Sequence, residues 1–156
     1  MPYVLFHDQF PEIAKRETRT ISVLAPSPSY PPPGEYALLE MYCDELRCDC
    51  RRVFFYVVSS RRNAVEAVIA YGWEPPEFYA KWMHDDDPEV VHQLKGPILN
   101  LTSPQSANAP RILHLIEELV LPDRAYIERL TTHYGMFKRN IDNASESNDQ
   151  RADGDV

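Results

Sequence analysis

Cys43, Cys48 and Cys50 are the three cysteines of this chain, and they stand close together in one run, Tyr42-Cys43-Asp44-Glu45-Leu46-Arg47-Cys48-Asp49-Cys50-Arg51-Arg52-Val53. An odd number of cysteines grouped so tightly argues against a disulfide framework and toward metal or redox chemistry. Side chains at i and i+2 of an extended segment point the same way, so Cys48 and Cys50 can share one ion. A four-residue loop brings Cys43 to the same end of a hairpin. Zinc favours thiolates in tetrahedral geometry, at Zn–S distances of about 2.3 Å. The expected cofactor is therefore zinc, bound by Cys43, Cys48 and Cys50. Arg47, Arg51 and Arg52 would favour the thiolate forms. Three inert core cysteines, or a Cys43–Cys48 redox pair, are the competing readings.

Three sulfurs leave room for a fourth ligand. Of the five histidines, His133 is best placed, on the apolar stripe of a helix with Tyr126, Leu130 and Phe137. Asp44, Asp49 or water are the alternatives, and water would give the open site that catalytic zinc requires. A second set of chemistry-bearing residues is the arginines Arg47, Arg51, Arg52, Arg61 and Arg62. Interleaved with Tyr42, Phe54, Phe55 and Tyr56, they could contact an anion or stack on nucleic-acid bases. The neighbouring acids Asp44, Glu45 and Asp49 offer them ordinary ion pairs instead.

The elements that must position these residues form an α+β pattern. A first strand is expected over Glu17–Leu24, then a stiff proline-rich connector over Pro26–Pro33. Three antiparallel strands follow, Glu35–Cys43, Arg51–Ser59 and Asn63–Trp73, whose short connections suit a meander. Val53–Val58 is apolar on both faces and should be central. Three to four helices then pack on the sheet. One opens at Pro75-Pro76, and a second is capped by Asp87 before Pro88 and closed by Gly96. A third is an amphipathic segment over Ala109–Val120, and the last runs over Arg124–Lys138. The expectation is a single domain over residues 1–138. The Asn-, Asp-, Ser- and Glu-rich residues 139–156 should form a disordered tail.

The 156 residues carry a net charge of -8, a hydrophobic fraction of 44% and 14 prolines. That charge opposes non-specific attraction to phosphates or to an anionic membrane, so nucleic acid and membrane are not the expected partners. Met1–Phe10 lacks the pattern of an export signal, and no apolar run approaches the ~20 residues of a membrane helix. A cytoplasmic location is the expectation.

The cysteine run, the downstream NLTSPQS segment and the later Tyr126…His133-Tyr134-x-x-Phe137-Lys138 pattern resemble a group of uncharacterised bacterial proteins. Some of these are similar to proteins with the SEC-C type of metal-binding motif. That motif is C-x-C followed by a second Cys-Cys or Cys-His pair. Cys48 and Cys50 match its first half, and the second pair is missing, so the resemblance implies metal binding without a full ligand set. No G-x-S-x-G, phosphate-loop or H-E-x-x-H pattern is present. The leading expectation is a small zinc-stabilised, non-catalytic binding or adaptor domain. A metal-dependent hydrolase with an open zinc position, or a nucleic-acid module using the arginine hairpin, are the alternatives.

Overall fold

The computed structural model describes residues 3–153, with side chains through Asn148. It is an α+β fold built on one six-stranded sheet. The central meander is β3 (Gly34–Cys43), β4 (Arg52–Ser59) and β5 (Ala64–Gly72), all antiparallel. β4 lies between its two neighbours, as its two-sided apolar pattern requires. Val53, Phe55 and Val57 point into the larger core, and Phe54 into a smaller cluster on the opposite face with Val68 and Ala70.

Two strands share the outer edge of β3. β1 (Tyr3–Leu5) pairs with its C-terminal end, Tyr3 opposite Cys43, and β2 (Arg19–Val23) pairs with its N-terminal half, Arg19 opposite Leu38. Between them the chain leaves the sheet through two short helices, α1 (Phe6–Gln9) and α2 (Pro11–Glu17). β1, α1 and α2 lie where the sequence carries only a weak periodic signal. On the far side, the two-residue β6 (Ile98–Leu99) pairs with β5. Its shortness hides it within a Pro- and Asn-rich stretch.

Helices α3 (Pro76–Met83) and α4 (Pro88–Lys95) follow the meander. Asp87 caps α4 by accepting the Glu89 N–H at 2.9 Å. Helices α5 (Ala109–Leu119) and α6 (Arg124–Asp153) cover the larger face of the sheet. Ile112, Leu115 and Ile116 of α5 and Tyr126, Leu130 and Phe137 of α6 are buried against Tyr36, Leu38 and Phe55. The proline-rich connector is fastened by Tyr36, whose hydroxyl donates to the Pro32 carbonyl, and by Tyr30, whose hydroxyl donates to Glu118 of α5.

The end of the chain departs from the expected disordered tail. α6 continues through Asn140 to Asp153, and residues 154–156 lie outside the described residues. Ile141 still packs on the core, and the Asn140 side chain donates to Gln9 of α1. Asp142, Asn143, Ala144 and Glu146–Asn148 are exposed. Extending a helix already nucleated and docked adds one hydrogen bond per residue fixed, which offsets the poor propensity of Asn, Asp and Ser.

Candidate metal centre

β3 ends at Cys43, and the eight residues to Arg51 form an irregular loop before β4 starts at Arg52. Two residues of this loop, Arg47 (φ 62°) and Arg51 (φ 47°), adopt left-handed backbone conformations. For a residue with a Cβ this costs on the order of 1 kcal/mol and needs support from its surroundings. The Cys48 N–H closes a turn on the Glu45 carbonyl at 3.3 Å.

Three side chains from outside the loop hold it in place. Lys138 of α6 donates to the carbonyls of Cys43 at 2.9 Å and Glu45 at 3.1 Å. The Tyr134 hydroxyl, one helical turn earlier, accepts the Arg51 N–H and donates to Asp49, each at 3.2 Å. Tyr79 of α3 donates its hydroxyl to the Arg51 carbonyl at 2.8 Å. That hydroxyl sits where a side chain on residue 72 would be: a Cβ there would fall 2.1 Å from it, so glycine is required.

The result is a group of three free thiols with all three sulfurs within 4.8 Å of one another. Cys43 and Cys50 are buried and Cys48 is partly exposed. The Glu45 N–H points at the Cys43 sulfur, 3.4 Å away, and the Arg52 backbone amide at that of Cys50. Such amide donors stabilise thiolate charge. The group could hold a metal ion, since soft sulfur donors at this separation suit a single thiophilic cation.

Without an ion, the Cys48 and Cys50 thiols resist ionisation. Burial, then the neighbouring Cys50 and Cys43, push the Cys48 thiol up to about 12. Burial, then Cys43, raises that of Cys50. A bound cation reverses this balance, because it replaces the protons and removes the repulsion between sulfurs. Lys138 is the protein cation that works against the rise at both thiols. Arg51 and Arg52, expected in that role, are directed elsewhere, while Arg47 stays beside Cys48.

Arg51 is bound to Asp49 at 2.9 Å, faces Glu74 at 3.4 Å and stacks over Phe78. Arg52 is buried, donates to the Leu94 carbonyl at 2.7 Å and to the Tyr3 hydroxyl, and lies over Phe54. Arg61 and Arg62 are exposed in the β4–β5 turn, at the opposite end of β4, roughly 23 Å along the strand at 3.3 Å per residue. Arg62 faces Glu66 at 3.6 Å. Arg47 is the exposed arginine of the five that stays beside the cysteines. The five therefore do not form one basic surface.

His133 is likewise placed away from the thiol group, against the expectation that it completes the site. Its Nδ1 is 2.7 Å from Glu40 in β3, and its Nε2 is 3.6 Å from Glu17 at the end of α2. Its ring stacks on Phe6 at 4.3 Å. The reason lies in the helix: successive residues are rotated by about 100°. His133 and Phe137 point down at the middle of the sheet, whereas Tyr134 and Lys138 point at the cysteine loop. Burial disfavours a charged imidazole, but the hydrogen bond and charge of Glu40, aided by Glu17, outweigh it and raise the His133 pKa. Glu40 also accepts the Tyr42 hydroxyl, so one buried carboxylate joins two aromatic side chains from different elements.

Sequence reasoning brought the three cysteines together but missed the roles of Tyr134, Lys138 and Tyr79. The signal for the first two was their i,i+4 spacing on α6, which puts both on one helix face. No family model, curated protein or solved structure matches the chain.

Proposed function

We propose that this chain is a small zinc-stabilised binding or adaptor domain without catalysis. The observation that carries this reading is the convergence of three free thiols, from a strand end and an irregular loop, within 4.8 Å. A short turn, the pairs of Arg51 with Asp49 and Glu74, and side chains from α3 and α6 shape that loop, and an ion would add a cross-link where the backbone is least regular. The metal's binding energy then becomes folding energy. Cys48 and Cys50 are also the pair shared with the SEC-C motif, which supports a metal role.

Elemental analysis of untagged protein tests the reading. About one zinc per chain is expected, because three thiolates make only one tetrahedral site. Metal-free protein with three titratable thiols would overturn it.

A metal-dependent hydrolase is favoured by one observation: Cys48 borders an open hollow. It would also need a general base. Asp49, the carboxylate beside Cys48, is already engaged by Arg51 and Tyr134, which leaves the non-catalytic reading ahead.

A further inference from the structure

A zinc or cobalt(II) ion on Cys43, Cys48 and Cys50 has three donors, and a tetrahedral ion takes four. Among the described residues, no histidine, aspartate or glutamate atom joins the three sulfurs within 4.8 Å. His133 is bound to Glu40, and Asp49 to Arg51 and Tyr134. Cys43 and Cys50 are 4% and 1% exposed, so the approach to the ion from their side is closed by packed protein. Cys48 is partly exposed and borders a hollow of about 240 Å³, together with Arg47, Asp49, Tyr134, Lys138 and Asp142. A water molecule takes about 30 Å³ of liquid, so the hollow has room for a ligand of several heavy atoms.

The charges around it discriminate between ligands. The Asp49 carboxylate is neutralised by Arg51. Lys138 faces backbone carbonyls. Neither Lys138 nor Arg47 has a carboxylate within 4.0 Å among the described residues; the two cations stand on the rim with Asp142, and Glu146 lies beside Arg47 in the adjoining hollow. On the metal-site reading just given, we infer that the ion's fourth ligand is a small anion from outside the chain. Its donor atom binds the ion, and its charge is met by Arg47 and Lys138.

The experiment uses the full chain loaded with cobalt(II), with azide as the probe. Intense thiolate-to-cobalt absorption, with loss of all three free thiols, is the expected first result. Its absence would overturn the metal reading, and this inference with it. Once the band is present, titrated azide should shift the visible ligand-field bands saturably and leave the thiolate band in place. Ligand-field bands indifferent to azide would overturn the inference while the metal reading stands. Asp44→Asn and Asp142→Asn should not alter the azide-free spectrum; a changed spectrum would assign the fourth ligand to the chain. Arg47→Gln should weaken azide binding about threefold, the scale of an exposed ion pair, with cobalt loading unchanged. Undiminished azide affinity would overturn the role given to the rim cations.

Discussion

At the scale of single residues, Cys48, Cys50 and His133 all hold their protons more tightly than free side chains do, and a metal would change that balance only at the thiols. On the zinc-site proposal, each cysteine gives up its proton to the ion, and the site's contribution to stability is tied to the metal. Cys48→Ser should destabilise the zinc-loaded protein by more than about 2 kcal/mol, well above an ordinary partly exposed change. It should also make the melting temperature insensitive to chelator. Thermal melts of both proteins with and without chelator check this, and an unchanged melting temperature would count against a structural ion. His133 lies outside that exchange. Its folded pKa is raised above the ordinary histidine value of 6.5, so the folded state binds the proton more tightly than the unfolded state. The stabilisation is complete below about pH 6.5 and is lost as pH rises through the folded value. The groups facing the ring are Glu40 from β3 and Glu17 from α2, with Phe6 of α1 stacked upon it. In urea denaturation with zinc saturating throughout, the stability of wild type relative to His133→Gln should shrink between pH 6 and 9. A difference that grows over that range would contradict the assignment.

At the scale of elements, the last helix does two jobs along different parts of its length. From Tyr126 to Ile141 it packs on the sheet, clamps the cysteine loop through Tyr134 and Lys138, and meets α1 through Asn140. From Asp142 to Asn148 its residues are mostly exposed and polar, and little buried apolar area holds them in place. Deleting residues 149–156, whose sequence Asp-Gln-Arg-Ala-Asp-Gly-Asp-Val is nearly all polar, should cost less than about 1 kcal/mol, since such a segment has little apolar area to offset the entropy of ordering it. Ending the chain before Lys138 should loosen the cysteine loop and lower metal retention. Comparative denaturation with zinc quantification separates the two cuts, and a large loss from the shorter one would mean that the helix end is docked. The edge of the sheet is divided in the same way: β1 supports Cys43, while β2 supports the N-terminal half of β3. The α1–α2 excursion between them delivers Phe6 and Glu17 to His133.

At the scale of the whole molecule, charge and membership of the surface decide what the protein can bind. The chain carries a net charge of -8, Arg51 and Arg52 are tied to their neighbours, and Arg61 and Arg62 stand at the far end of β4. Fluorescence anisotropy with single-stranded RNA and DNA should show weak binding that falls steeply with salt; salt-resistant, sequence-selective binding would promote the nucleic-acid reading. No helix of the described residues is long and apolar enough to cross a membrane. The meander is legible in the residues alone, because period-2 patterning and short turns leave few ways to pair β3, β4 and β5. So are the Asp87 cap and the amphipathic face of α5, for the same reason: each depends on neighbours within one turn of chain. The meeting of the three cysteines is legible too, since a strand end and a short loop cannot carry them far apart. Which side chains reach that loop from a distance depends on the packing of α3 and α6 against the sheet. A rotation of one residue on α6 sends His133 to Glu40 and Tyr134 to the cysteines, and apolar periodicity cannot distinguish them because both faces are buried. Packing decided the fate of the arginines too, because whether a guanidinium is free depends on carboxylates and carbonyls brought from other elements, such as Glu74 for Arg51 and Leu94 for Arg52. Local spacing fixes what is near in sequence, whereas partners dozens of residues away are chosen by how the helices pack on the sheet.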